Sequence, residues 1–418
     1  MTRILIIGYV WPEPSSSAAG AHMLSLLAAC QSVGWGVTFA SPATHTEHMT
    51  DLGALDIQTV EIALNCSSFD RFVSELQPQL VLFDRFMMEE QFGWRVEKAC
   101  PQALRMLDTV DLFCLRHARH DAFKQHDRIE TQITKSQLHT EMAQREIAAI
   151  YRCDLSLVIS EVELQLLVDT FGLDPALLHY YPLSVNINQI PPAATERDGF
   201  IAIGNFRHPP NWDAVRWLNA AIWPKIRKAL PQAQCRIYGA YTPPKAQALH
   251  NAKQGFHVLG RAADALEVMS AAKVNLAPLR FGAGLKGKLL DAMVSGTPSV
   301  TTCIGAEGMQ GQLPFPGAIA DDPQTIADQA IALYQDQPRW QQAQQAGYDI
   351  VRQRFDQSVQ DAHLLERIEE IRGNLQSHRV NNFTGAMLRH HAHRSTQYMS
   401  QWIEAKNRVP TANSQEPS

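Results

Sequence analysis

Residues 280–308, RFGAGLKGKLLDAMVSGTPSVTTCIGAEG, gather two glycines, two lysines and an aspartate around one turn, a set of groups suited to a nucleoside diphosphate. The run KVNLAPL at residues 273–279 has the continuous apolar character of a buried strand, and Leu289, Leu290 and Met293 give the next segment a helical apolar stripe. The glycines therefore fall at a strand-to-helix junction. There Gly282 and Gly284 let backbone N–H groups approach an anion, the helix start contributes a favourable dipole, and Lys286 and Lys288 supply positive charge. Asp291, one turn beyond Lys288, is placed to accept hydrogen bonds from ribose hydroxyls. On glycines and lysines alone, a tight turn followed by a solvated basic helix start explains the segment equally well.

The residues just beyond separate the two readings. Residues 296–302 (GTPSVTT) read as a helix stop and a short strand, and residues 305–308 (GAEG) make a second flexible turn containing Gly305 and Glu307. The whole resembles the donor-site block of GT-B retaining glycosyltransferases, in particular family 4, whose members carry G-x-G…K-x-x-E-A-M…G-x-P-V-V-T-T…G-A-E-G runs. One departure stands out: many members have a pair of glutamates in this block, whereas here the later acid is Asp291 and the earlier position is Ala283. A second match lies at residues 204–211 (GNFRHPPN), which resemble the family's G-x-x-x-x-x-P-N-x-D-A entry to the nucleotide domain. Gly260 and Arg261, followed by residues 265–271, resemble the loop and helix that hold the nucleotide base.

The resemblance implies an α/β protein of GT-B architecture, two doubly wound Rossmann-like domains facing across a cleft. It implies a nucleoside diphosphate sugar as donor, a saccharide, lipid-linked or other glycan as acceptor, and retention at the anomeric carbon. Lys288 and Arg207 would neutralise the departing diphosphate with the loop N–H groups, Arg207 through a bidentate guanidinium, and Asp291 would act beside them. Gly282, Gly284, Lys286, Gly305, Glu307, Gly260 and Arg261 complete the expected donor site, with Asn211 read as a helix cap. The loop of residues 15–20, with Ser16, Ser17 and Gly20, is expected at the cleft near phosphates and acceptor; without the resemblance it reads as a flexible surface loop. Asp84, Asp108 and Asp111 come after predicted strands, where an open α/β sheet presents groups to its ligand, although for each the capping or surface reading is the better one. Family members often carry a histidine after the strand near Asp108; here Thr109, Val110 and Asp111 occupy that stretch, and His117 is close in sequence.

Strand, loop, helix and strand alternate from the start: an apolar strand at residues 4–8, the loop PEPSSSAAG, a helix from about residue 22 to 33, and a strand at 34–41. The alternation continues through residues 80–83, 103–107 and 155–159, implying parallel strands joined by helices. Residues 116–149, rich in charge, suggest one or two exposed helices over the first domain. Residues 182–198 are poor in hydrophobic periodicity, and a second series of strands comes at 200–203, 235–239 and 257–260. The organisation expected is an acceptor-side domain over residues 1–190, a linker over 191–198, a nucleotide-sugar domain with crossing helices over 199–373, and a helical basic and aromatic tail over 374–418 with a disordered end.

Composition agrees: 418 residues, 45% of them hydrophobic, can fill two cores. A formal charge of −5 gives no basic footprint for nucleic acid. Seven scattered cysteines without a C-x-x-C pair indicate neither a disulfide framework nor a zinc site, and fit a reducing cytosol. His390, His391 and His393 in the tail do not share a helical face, which argues against a metal site there. No cofactor or metal is expected, since basic groups and a helix end can do the work of a magnesium ion. The N-terminus lacks the layout of a signal peptide and no run reaches the roughly 18 apolar residues of a membrane span. A cytoplasmic protein is expected, with the tail suiting either the inner face of a membrane or its own protein surface. Two other functions stay open: a sugar-nucleotide epimerase or hydrolase on the same architecture, and a non-catalytic relative that binds a nucleotide sugar or partner.

Overall fold

The computed structural model describes residues 2–189 and 196–408, with the side chains of residues 189, 391–393 and 408 left aside. Most of the predicted linker, including Pro191 and Pro192, and the polar end beyond residue 408 lie outside the described residues. Among the described residues, thirteen strands form two sheets. The first contains β1 (Arg3–Ile7), β2 (Gly36–Ser41), β3 (Gln58–Glu61), β4 (Leu80–Asp84), β5 (Leu104–Asp108), β6 (Leu155–Val158) and β7 (Leu178–Tyr180). The second contains β8 (Phe200–Ile203), β9 (Cys235–Tyr238), β10 (Phe256–Gly260), β11 (Val274–Ala277), β12 (Ser299–Thr301) and β13 (Gly317–Ile319). All pairings within both sheets are parallel, in the orders β3-β2-β1-β4-β5-β6-β7 and β10-β9-β8-β11-β12-β13. The short strands β3, β7 and β13 have little apolar signal of their own.

The strands are continuous apolar runs because helices cover both faces of each sheet; Ile4, Leu5, Ile6 and Ile7 of β1 and Leu80, Val81, Leu82 and Phe83 of β4 are all buried. The order reverses beside β1 in the first sheet and beside β8 in the second, and in such folds the ligand crevice opens at that reversal, beyond the strand C-terminal ends. The first helix, Ala18–Ser32, starts earlier than its apolar stripe suggests, because Ser17 adopts an extended backbone and its hydroxyl accepts the Gly20 N–H at 3.1 Å. Half of the predicted 15–20 loop is thus helix.

Residues 323–373 form three helices, Pro323–Gln335, Gln337–Arg354 and Gln357–Gly373. Leu364, Ile368 and Ile371 of the third are buried in the core of the first sheet with Ile4, Ile6 and Leu26. This helix crosses back and ties the chain's end to the first domain, as the GT-B resemblance implies. The charged stretch after Arg116 forms helices Phe113–His126, Lys135–Leu138 and Glu141–Arg152, yet Arg119 and Glu146 in it are buried. The described part of the tail forms helices Leu375–Asn381 and Phe383–Arg408, the second packed on Phe86–Ala99 and Glu141–Arg152.

Candidate active site in the interdomain cleft

A cavity of about 280 Å³ separates the two sheets. Its walls come from segments beyond strand C-terminal ends: Ser15, Ser16 and Ser17 after β1, Val110 and Asp111 after β5, Gly204, Asn205 and His208 after β8, Arg261 after β10, and Leu279, Phe281 to Ala283 and Leu285 to Lys288 after β11. Two helix starts converge on it. A Cβ built on Gly287, first residue of helix Gly287–Val294, would stand only 2.4 Å from the Cβ of Ala18, first residue of Ala18–Ser32. Glycine is therefore what lets the two N-termini meet, and the positive end of each helix dipole makes the cavity attractive to an anion.

Lys288 lines this cavity at the start of helix Gly287–Val294. Its Nζ donates to Asn211 Oδ1 at 2.6 Å, and Asn211 Nδ2 donates to the Asn205 carbonyl at 2.9 Å. Gly204 opens the space for this pair, since a Cβ there would lie 2.7 Å from Lys288 Nζ and 2.8 Å from the Asn211 amide. Burial pushes the Lys288 ammonium down to about 7, with the charge of Lys286 adding to the fall and Asp291 opposing it. Burial likewise pushes the Asp291 carboxyl up to about 7. Both line the cavity. Asn211 does not cap its helix, as the sequence suggested; the helix is Pro209–Trp217 with His208 at the cap, and Asn211 holds the lysine instead.

Several expected donor residues are placed elsewhere. Arg207 is exposed and absent from the cavity wall; its guanidinium stacks 3.5 Å from the Tyr241 ring centroid. The face of Tyr241 captures it, and Tyr241 Oη in turn donates to Glu13 at 3.0 Å, joining the two domains. Lys286 is buried and donates back to the carbonyls of Ala283, at 3.1 Å, and Gly284, so it braces its own loop. The Gly284 N–H is occupied by Glu163 Oε1 at 2.6 Å, and the Gly282 carbonyl accepts from Arg119 at 2.9 Å. Gly282 lines the cavity and Gly284 lies behind the wall; with φ of +149° and +65° both shape the loop.

Glu307 lies off the cavity, paired with Arg119 at 2.7 Å. Gly305, also off it, fits a helix turn where a Cβ would overlap Thr301. Gly260 ends β10 outside the wall, while Arg261 lines it and donates to the Ser15 hydroxyl. On the other side Ser16 and Ser17 line the cavity, whereas Gly20 packs a would-be Cβ 2.5 Å from the Glu13 backbone. Asp84 and Asp108 are buried beneath the wall: Asp84 accepts from the Tyr9 N–H at 3.0 Å, and Asp108 from the Val110 N–H at 3.2 Å.

Asp108 thereby supports an unusual turn. Val110 has a φ of +60°, a costly conformation for a β-branched residue, and it delivers Asp111 to the cavity. Asp111 holds Arg116 Nη1 at 2.8 and 3.1 Å from its two oxygens, and His208 faces them from the other domain. The His208 imidazole is held below its ordinary range by burial and by Arg116. The sequence did not single out His208 or Arg116, and for Asp111 it favoured a capping or surface role over a ligand-facing one; His117 is exposed on the helix outside the cavity. No group of three or more metal-ligating side chains exists among the described residues.

Two doubly wound parallel sheets facing across a cleft lined by their strand ends define the GT-B class of α/β proteins. Residues 197–336 match the family model described as Glycosyl transferases group 1. No curated protein matches the chain. Among solved structures it is similar to Anabaena HepE in complex with UDP-glucose, with a TM-score of 0.67 at 12% identity over 88% of this chain and 100% of that one. It is also similar to a glycosyltransferase from Rickettsia africae, with a TM-score of 0.66 at 10% identity over 88% and 98%, respectively. A sucrose-phosphate synthase from Thermosynechococcus elongatus gives a TM-score of 0.65 at 16% identity over 89% and 99%. These likenesses carry the fold, and the family match falls on the domain that holds Lys288.

Proposed function

We propose that the protein transfers a sugar from a nucleoside diphosphate sugar to an acceptor hydroxyl, with retention at the anomeric carbon. The observation that carries this reading is Lys288, held by Asn211 where two helix N-termini converge on the interdomain cavity. A departing diphosphate is the charge such a site is built for: it would draw a proton onto Lys288, and the preorganised dipoles would stabilise it without reorganising. Asp291, at the inner wall, would meet the ribose. The family match over residues 197–336 supports the donor class, as does the likeness to HepE, which was solved with UDP-glucose. Asp111, Arg116, His208 and Ser16 would face the acceptor. The chemistry relies on leaving-group stabilisation, so no metal is invoked.

The test is a panel of nucleoside diphosphate sugars. A ligand that binds only the folded state raises the melting temperature, and product formation with an added glycan acceptor then reads transfer. The proposal expects one sugar nucleotide to give a shift that Lys288→Ala removes. A panel without any shift, or a shift untouched by that variant, overturns it.

A further inference from the structure

Helix Phe383–Arg408 has two unlike faces. One is docked: Asn382, just before it, donates to the Tyr151 carbonyl at 2.8 Å, Arg389 pairs with Glu97 at 3.3 Å, and Ser400 accepts from Arg95 at 3.0 Å. The backbone at Gly385 passes so close to Tyr151 that a Cβ would stand 2.1 Å from its carbonyl oxygen. The opposite face carries Phe383, Met387, Tyr398 and Trp402, which are 75%, 48%, 65% and 59% exposed. With 3.6 residues per turn, these four and Arg394 fall within about 100° of arc. Large aromatic side chains left in water on a helix that is otherwise fixed to its domain mark an interaction surface.

Charge identifies the occupant. The whole chain is formally −5, yet residues 383–408 contain four cationic residues against Glu404 alone; Arg389 is held by Glu97 on the docked face and Glu404 by Ser67, which leaves Arg394 and Lys406 as the charges beside the outer face. Arg394 and Lys406 are exposed beside the aromatic stripe, and Lys406 lies over the Trp402 ring at 5.3 Å. Phe, Tyr and Trp on one face with cations beside them are the composition of a helix lying in a bilayer interface, where rings enter the headgroup boundary and cations meet anionic lipid. No helix among the described residues is long and apolar enough to cross a membrane, so the contact is a surface one.

We infer that the outer face of helix Phe383–Arg408 docks the protein on an anionic lipid surface through Phe383, Met387, Tyr398 and Trp402, with Arg394 and Lys406 engaging the headgroups. This surface lies apart from the donor cavity, and its assignment stands or falls independently of the proposed transfer.

The experiment is co-sedimentation of the full chain with vesicles of phosphatidylglycerol and phosphatidylcholine, against vesicles of phosphatidylcholine alone. Expected is binding to the anionic vesicles that weakens as salt rises, with a combined Phe383→Ser, Tyr398→Ser and Trp402→Ser variant binding at least roughly tenfold more weakly. An Arg394→Glu, Lys406→Glu variant should lose the preference for anionic lipid. Because all five side chains are exposed, both variants should keep the wild-type melting temperature and any donor-induced shift. Equal sedimentation of wild type and the serine variant, or none with either vesicle, overturns the inference. So does a wild-type dimer in sizing experiments that the serine variant abolishes while vesicles stay unbound, since the stripe would then serve a second copy.

Discussion

At the scale of single residues, the cavity turns on the protonation of Lys288. Its ammonium is pushed down to about 7 and the Asp291 carboxyl up to about 7, burial being the first cause for both. An arriving diphosphate favours the charged lysine, so binding takes up protons wherever Lys288 was neutral; above pH 7, ionised Asp291 adds a negative charge to the same cavity. Both effects have one sign. Donor affinity is expected to fall as pH rises through about 7, and calorimetry in buffers of different ionisation enthalpy should show proton uptake on binding. Lys288→Ala should lower turnover roughly 10²- to 10³-fold, the scale of removing one preorganised group that meets developing charge. Its effect on stability should be modest: the loss of a partner for Asn211 Oδ1 costs about 1–3 kcal/mol if water cannot replace it, and relief of the buried charge offsets part of that. An unchanged rate would remove Lys288 from the site.

At the scale of elements, the close approach of two helix starts can be probed on its own. Gly287 opens its helix without a positive φ, so local structure tolerates Gly287→Ala, with a propensity gain below the roughly 1 kcal/mol of a helix interior. The added Cβ nevertheless meets Ala18 at 2.4 Å and must push the helices apart. Donor affinity is expected to drop at least roughly tenfold while the domains stay folded; titration of the variant with the donor found in the panel measures this, and wild-type affinity would show that the convergence is not needed. The sequence made the elements themselves legible, because β1, β4 and β11 are apolar runs and the glycine junction after β11 is marked by residue type. It also made Lys288 and Asp291 legible. It did not show which side chain turns which way: Arg207 goes to Tyr241, Lys286 to its own loop carbonyls, and the Gly284 N–H to Glu163. Each of these partners is distant in sequence or depends on loop curvature, to which periodicity is blind. The strained turn at Val110 is a further case, since nothing in a valine announces a positive φ.

At the scale of the whole molecule, Glu163 couples the two domains. It is fully buried in the first domain, where Oε1 accepts the Leu112 N–H at 3.3 Å, and it also accepts the Gly284 N–H of the second domain at 2.6 Å. Arg119 makes a second crossing to Glu307 and the Gly282 carbonyl, and His120 stacks on Phe281 at 4.4 Å between centroids. Burial pushes the Glu163 carboxyl up to about 8, with Asp111 adding to the rise and the two N–H donors opposing it. The folded state therefore holds a proton that the unfolded chain releases near 4.5, and stability from this group is complete below that value and lost as pH rises through about 8. Glu163→Gln keeps an oxygen acceptor for the two N–H groups and removes the titration. The melting temperature of the variant minus that of the wild type should then climb as pH is raised from 4.5 to about 8, because only the wild type must ionise a buried carboxyl. Glu146, pushed up to about 7, titrates in both proteins and cancels in the difference. A difference that stays level across this range would mean that Glu163 is ionised throughout and that the domains are joined by a charged carboxylate. A climbing difference would make the junction between glycine loop and first domain weaken in alkali, so that the wild-type donor-induced shift declines more steeply with pH than that of the variant.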